Sequence, residues 1–211
     1  ISSAKQTANT SVVATMPRLI FVSSTGVYGY DDGRMVDDNT PRIANRPTAE
    51  ILIEAEDQAR SIWPRTTVLQ LSGIYGPDRN HVSRYLAFQR NADAIGTEES
   101  GRWTNRIHVD DAAHVIAHCV AKSPAYDSMI VSDSLPVQKG TIAQWIHKAV
   151  KTNYSQKNGL KPFRMPLEAV LKGEKSGKRI IATRLVQSGI QLQYPSYIEG
   201  YHSIDLSTIC C

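Results

Sequence analysis

The chain has 211 residues, enough for one domain with a substantial core and a small added lobe. It is 41% hydrophobic and 21% charged, the balance of a globular protein, and no apolar run approaches the roughly 18 residues that a membrane helix needs. The net charge of +4 is scattered, and its densest basic run, Lys172 to Arg179, reads as a solvated loop and not as a nucleic-acid contact.

In chain order, the opening ISSAKQTANTSVVATMP lacks a basic start followed by an apolar block, so it does not read as a signal peptide. With Ile1 as first residue, the expectation is a processed chain or part of a longer one. Arg18 to Ser23 reads as a strand whose continuous apolar run suits burial on both faces. It runs into hydroxyls and glycines, SSTGVYG, where an ordinary turn or a ligand site would both fit. Pro47 to Ile62 reads as a helix, with Pro47 at the first position, Glu50 in the first turn, and Ile51, Ala55 and Ala59 at helical spacing. Thr66 to Gly76, TTVLQLSGIYG, reads as a second strand, and Val82 to Arg90 as a helix.

Asn105 to Val109 is a short extended piece, and Asp110 to Ala121 a helix capped by Asp110, with Ala112, Ala113, Ile116 and Val120 facing inward. Ser128 to Asp133 reads as a third strand and Thr141 to Lys151 as a helix capped by Thr141. The alternation spells an α/β fold, a parallel sheet with crossover helices. In such sheets ligands bind beyond the carboxyl ends of the strands. That favours the ligand-site reading of SSTGVYG.

Three blocks, FVSSTGVYG, VLQLSGIYGPDRN and NRIHVDDAAHVI, resemble in order and spacing those of the extended short-chain dehydrogenase/reductase superfamily. That superfamily includes the NAD-dependent epimerases and dehydratases of nucleotide sugars. The segment from Ser176 to Ile204 resembles the last block of its atypical branch, so the resemblance covers roughly residues 18 to 204. It implies a Rossmann-like sheet with a small C-terminal substrate lobe. The expected division is 1–133 for the dinucleotide-binding half and 134–211 for the lobe.

The resemblance implies a site. Ser24 matches the strand-end serine that donates to a substrate oxygen, and Tyr28 the tyrosine of the family's V-Y-G turn, so both are candidate catalytic residues. Ser23, Ser24 and Thr25, with Leu71, Ser72, Gly73 and Ile74, are expected to line the nicotinamide end of NAD or NADP. Arg106, Tyr75 and Arg79 are the expected substrate contacts.

Two departures limit what the resemblance implies. No G-x-G triplet occurs, so the glycine-rich loop that cradles the cofactor's pyrophosphate is absent, and the N-terminal cofactor half is expected to be missing. No tyrosine is followed four residues on by lysine. Thr48 and Leu52 occupy the positions of that pair, and a threonine hydroxyl is too weak an acid to replace a tyrosine. The atypical branch lacks the pair too. His114 and His118, four apart beside Cys119, suggest zinc, but the helix lacks the glutamate of H-E-x-x-H and no other ligand pair accompanies them, so no metal is expected.

The expected function is an atypical NAD(P)-dependent oxidoreductase or epimerase-like protein acting on a small or sugar-nucleotide substrate. The alternatives are a non-catalytic dinucleotide-binding or regulatory protein and an inactive truncated fragment. Three cysteines, an odd and low count, fit a reducing cytoplasm. Neither nucleic acid nor membrane is an expected partner, and relatives suggest a homodimer through the helix at Pro47 to Ile62.

Overall fold

A computed structural model describes residues 16–79, 82, 100–154 and 175–204. Its first strand, β1 (Leu19–Ser24), runs into a 3-10 turn at Thr25–Val27, and β2 (Met35–Asp37) follows. Helix α1 (Pro47–Ile62) has the bounds the sequence predicts, because Pro47 supplies a fixed φ where no N–H is needed. Next come β3 (Thr66–Leu71) and β4 (Gly73–Tyr75).

β5 (Trp103–Thr104) and β6 (Arg106–His108) lead directly into α2 (Val109–Ala121). Then come β7 (Ser128–Val131), β8 (Val137–Gln138), α3 (Lys139–Tyr154) and β9 (Arg179–Ile181). Two short helices, α4 (Thr183–Gln187) and α5 (Tyr197–His202), close the described chain.

β1, β3 and β7 form a parallel sheet in the order β1-β3-β7, with Ser24 opposite Leu71 and Leu71 opposite Val131. The architecture is the α/β one expected, but β1 is not buried on both faces. Among the described residues it lies at a sheet edge, and Leu19 and Val22 are 38% and 49% exposed. The central strand β3 is the one buried along its whole length.

The single strand expected from Thr66 to Gly76 is broken at Ser72. Its amide donates to the Val131 carbonyl (2.9 Å), and the next amide, of Gly73, donates to Asn105 (3.1 Å). The backbone therefore changes partners in one step, and β4 leaves the sheet to pair in parallel with β6.

The α2 cap also differs from expectation. His108, not Asp110, is the N-cap, and its Nδ1 accepts from the Asp110 amide at 3.3 Å. The inward face is accordingly Asp111, Ala112, Val115 and Cys119, while Ala113 and Val120 point to solvent and Ile116 is half-buried. A buried carboxylate faces inward because Asp111 accepts from the amides of Gln193 (2.7 Å) and Tyr194 (2.9 Å). Thr141 lies inside α3 and does not cap it. The helix expected at Val82 to Arg90 falls outside the described residues except for Val82.

The C-terminal segment folds back onto the first half. β9 pairs in parallel with β2, and Asp38 accepts from the amides of Ile130 (2.7 Å) and Arg184 (2.9 Å). One apolar cluster packs the sheet against α2 through Leu69, Ile107, Val115, Met129 and Ile130. A second joins Tyr75, Ile142, Ile146, Tyr197 and Tyr201. No helix among the described residues is long and apolar enough to cross a membrane.

Candidate functional site

The carboxyl end of β1 turns abruptly. Ser24 caps the 3-10 turn, its Oγ accepting from the Gly26 amide at 3.0 Å. That bond uses the oxygen's acceptor side, and no group among the described residues takes the Ser24 hydroxyl proton. A methyl group built on Gly26 would lie 3.4 Å from Arg46 Nη2 and 3.7 Å from Leu52 Cδ1. The α1 position aligned with the family's lysine therefore does face this turn, and it carries an apolar side chain there.

The neighbouring hydroxyls have other work. Ser23 donates to Glu56 Oε1 at 2.6 Å. The same carboxylate accepts from Gln70 Nε2 (3.0 Å) and Arg42 Nη1 (3.0 Å) and is fully buried. Tyr28 turns inward, its hydroxyl donating to Gln70 Oε1 at 2.9 Å. Burial holds that hydroxyl far above the ordinary tyrosine range, helped by Asp38 and Glu56. Tyr28 is 3% exposed, with its hydroxyl turned towards Gln70 in the interior.

At the end of β3, Leu71 and Ser72 are buried, and Gly73 is exposed. The Ser72 hydroxyl has no hydrogen-bond partner among the described residues. Ile74 is half-buried. The end of β7 adds Asp133, whose amide donates to the Arg106 carbonyl at 2.7 Å. Burial pushes the Asp133 carboxyl up to about 8, against the pull of the Leu135 amide and Arg106.

Of the expected substrate contacts, Arg106 is buried beside this group. Tyr75 is fully buried, its hydroxyl donating to the Ser196 carbonyl (3.3 Å) and its ring edge-on to His108. Arg79 stands exposed on the turn Pro77–Arg79. Arg106 and Tyr75 lie near each other and near Asp133, while Arg79 stands apart on the exposed turn.

Lys178 does converge on the site. Its ammonium donates to the Tyr28 carbonyl, just past the Ser24 turn. Its own carbonyl accepts from Asn105 Nδ2 (2.9 Å), and the Asn105 carbonyl accepts from Gly73. Lys178 thus stands between the two strand-end blocks. Burial pushes it down to about 8, aided by Arg46 and Arg102 and opposed by Asp31.

The run Lys172 to Arg179 is therefore not simply a solvated loop. Lys175 is exposed, but Lys178 and Arg179 are half-buried, and Arg179 belongs to β9. The signal available in the sequence was a glycine directly before a lysine and a β-branched pair. Gly177 has φ +77, and a methyl group there would meet the Trp103 carbonyl oxygen at 2.4 Å.

Among the described residues, no group of three or more His, Cys, Asp or Glu side chains could hold a metal ion. His114 is exposed and Cys119 is buried. An open depression along α1, lined by Glu50, Glu54 and Asp57 among others, contains none of the strand-end residues.

No family model matches the chain. Protein YeeZ of Escherichia coli (strain K12) is 32% identical over 118 residues, which is 55% of this chain and 40% of YeeZ. The chain so spans well under half the length of the curated relative it matches. A solved structure from Methylobacillus flagellatus, assigned to the NAD-dependent epimerase/dehydratases, has a TM-score of 0.70 and 31% identity, covering 92% of this chain and 65% of that one. DesIV of Streptomyces venezuelae, a dTDP-glucose 4,6-dehydratase solved with NAD and TYD bound, has a TM-score of 0.64 and 17% identity, covering 88% of this chain and 58% of its own. At that identity the likeness concerns the fold alone. The α/β fold with parallel strands is Rossmann-like, as in these epimerase and dehydratase structures.

Proposed function

We propose that this chain forms the substrate-side part of an NAD(P)-dependent oxidoreductase of the epimerase/dehydratase kind, acting on a small or sugar-nucleotide substrate. One observation carries the reading. The carboxyl ends of two parallel strands in register bring together a Ser24 hydroxyl with its proton undirected and an orphaned, buried Ser72 hydroxyl beside exposed Gly73. Such a pair of strand ends is where open parallel sheets bind ligands.

The residues fit the nicotinamide end of a dinucleotide: Ser72 supplies an unused hydroxyl and Gly73 lets the ring approach the backbone. They do not supply a glycine-rich loop for the pyrophosphate, so the proposal extends to a longer polypeptide that holds the adenosine half. When bound, the nicotinamide accepts or returns a hydride. Within this chain, Ser24 donates its proton as a hydrogen bond to the substrate oxygen, stabilising charge that develops there. Thr48 and Leu52 cannot relay a proton as tyrosine and lysine do.

The test is titration of NADH and NADPH into the longest polypeptide that carries this chain, followed by calorimetry. Saturable binding, weakened when Gly73→Val fills the strand end, is the expected result. No binding at millimolar ligand would overturn the proposal.

The apolar Leu52 facing Gly26 favours a second reading, a dinucleotide-binding or regulatory protein without turnover. Binding that is unaccompanied by any turnover, and a cellular phenotype indifferent to Ser24→Ala, would select it. A cytoplasmic setting and a homodimer through α1, where Ile51 and Ile62 are exposed, belong to the same proposal. Sedimentation of the purified chain checks the dimer.

A further inference from the structure

Charge balance around the strand-end turn singles out two cations. Most arginines near it have a carboxylate partner: Arg102 pairs with Asp31 (2.9 Å), Arg34 with Asp32, and Arg42 with Glu56 and Asp57. Arg46 and Lys178 are different. Neither forms an ion pair with a carboxylate or donates a hydrogen bond to one among the described residues, and they lie close enough to repel each other.

Asp31 favours the charged form of Lys178, but it pairs with Arg102 (2.9 Å), so one carboxylate is shared among three cations. It already accepts from Arg102, Ser176 Oγ and the Gly177 amide, and those bonds hold its carboxyl below the usual range despite partial burial. The Tyr28 carbonyl satisfies one of three ammonium protons. Arg46 stands at the N-cap of α1, where no side chain caps the helix, and its guanidinium reaches the Gly26 turn. Two like charges held together with no carboxylate of their own among the described residues cost stability. The arrangement is explained if an anion from outside the chain completes it.

We propose that Lys178 and Arg46 receive an acidic group of the substrate, a carboxylate or a phosphate, beside the Ser24 turn. The proposal rests on the strand-end reading above. The division of labour suits the chemistry: the planar guanidinium offers paired N–H donors to an oxyanion, and the ammonium a compact charge. Lys178 then does two things, holding the turn through Tyr28 and holding the ligand through its remaining protons. Arg102 and Asp31 are the other charged groups acting on Lys178.

The test titrates inorganic phosphate and malonate, separately and at low ionic strength, into the 211-residue chain, read by calorimetry and by the side-chain NMR signal of Lys178. Circular dichroism and melting confirm that each variant is folded. Expected is one-site binding, at least about tenfold weaker in Lys178→Met and in Arg46→Gln, with an upward shift in the titration midpoint of Lys178 on saturation. Arg34→Gln, a surface arginine paired with Asp32, should bind as the parent does. Tighter binding of phosphate or of malonate identifies which acid the site prefers, and either supports the proposal.

If the folded chain binds neither probe, or binds them equally well in both variants, the proposal fails. NADH titration of the longest polypeptide that carries this chain, run beside the anion titrations, separates this failure from that of the functional reading. Dinucleotide binding without an anion site overturns only the present inference. An anion site without dinucleotide binding upholds this inference and overturns the cofactor.

Discussion

The ammonium of Lys178 donates to the main-chain carbonyl of Tyr28, 150 positions earlier in the chain. The bond places a half-buried cation next to Arg46 and Arg102, and burial and those charges lower its pKa from 10.5 to about 8. The folded state therefore disfavours the protonated amine. Below pH 8 the whole cost is present, and stability from this group rises as pH climbs from about 8 towards 10.5.

Lys178→Met should accordingly melt higher than the parent at pH 7 and lose that advantage by pH 11. The net gain at pH 7 should be about 1 kcal/mol, after allowance for partial exposure and for the lost bond to Tyr28. Urea unfolding at the two pH values measures it. A variant less stable at pH 7 would mean that the Tyr28 bond outweighs the buried charge.

Gly177 delivers Lys178 to this position. It combines φ +77 with a built methyl contact of 2.4 Å to the Trp103 carbonyl oxygen, whereas Gly189 has φ +73 and open space around it. Gly189→Ala should cost about 1 kcal/mol through backbone strain alone. Gly177→Ala should cost roughly 2–4 kcal/mol, because the same strain is joined by a backbone clash that cannot relax by a rotamer change. Equal losses in the two variants, by thermal melting, would show that the Trp103 contact is not rigid.

The same two residues mark what the sequence made legible. Periodicity and a proline located α1 to the residue, since those signals are local. The end of β1 was legible because hydroxyls and a glycine interrupt its apolar run at Ser23, whereas the break at Ser72 was not, because it depends on Val131 and Asn105 as backbone partners far along the chain. The position of Lys178 was not legible. It depends on β9 pairing with β2 across the whole described chain, and a lysine in a basic run looks solvated until that pairing is known. The α2 face was misjudged for a related reason: Asp111 turns inward only because the amides of Gln193 and Tyr194, far along the chain, satisfy its carboxylate.

Glu56 is the buried charge on which the strand-end turn is mounted. It accepts from Ser23, Gln70 and Arg42, and removing it leaves a buried hydroxyl and amide without their acceptor. Glu56→Ala should destabilise the fold by roughly 3–5 kcal/mol. Arg42→Ala should cost less, because Arg60 also approaches the carboxylate (3.7 Å) and the two hydrogen bonds to Ser23 and Gln70 survive. Equal costs in a urea series would place the energy in the Arg42 pair and not in the hydrogen bonds.

Asp133 sets the opposite pH dependence. Burial raises its carboxyl to about 8, while the unfolded chain titrates it near 4. Between those values the folded state binds a proton that the unfolded state has lost. Stability therefore falls as pH rises, by about 1.4 kcal/mol per pH unit for one proton, and levels off above the folded value. Asp133→Asn removes this term, since an amide stays neutral at every pH and its oxygen can still accept from the Leu135 amide. The stability difference between variant and parent should be near zero at pH 4 and should grow in the variant's favour up to pH 8. Chemical denaturation at pH 4, 6 and 8 reads the slope. A difference independent of pH would mean that Asp133 is ionised in the fold, and that Arg106 compensates its burial.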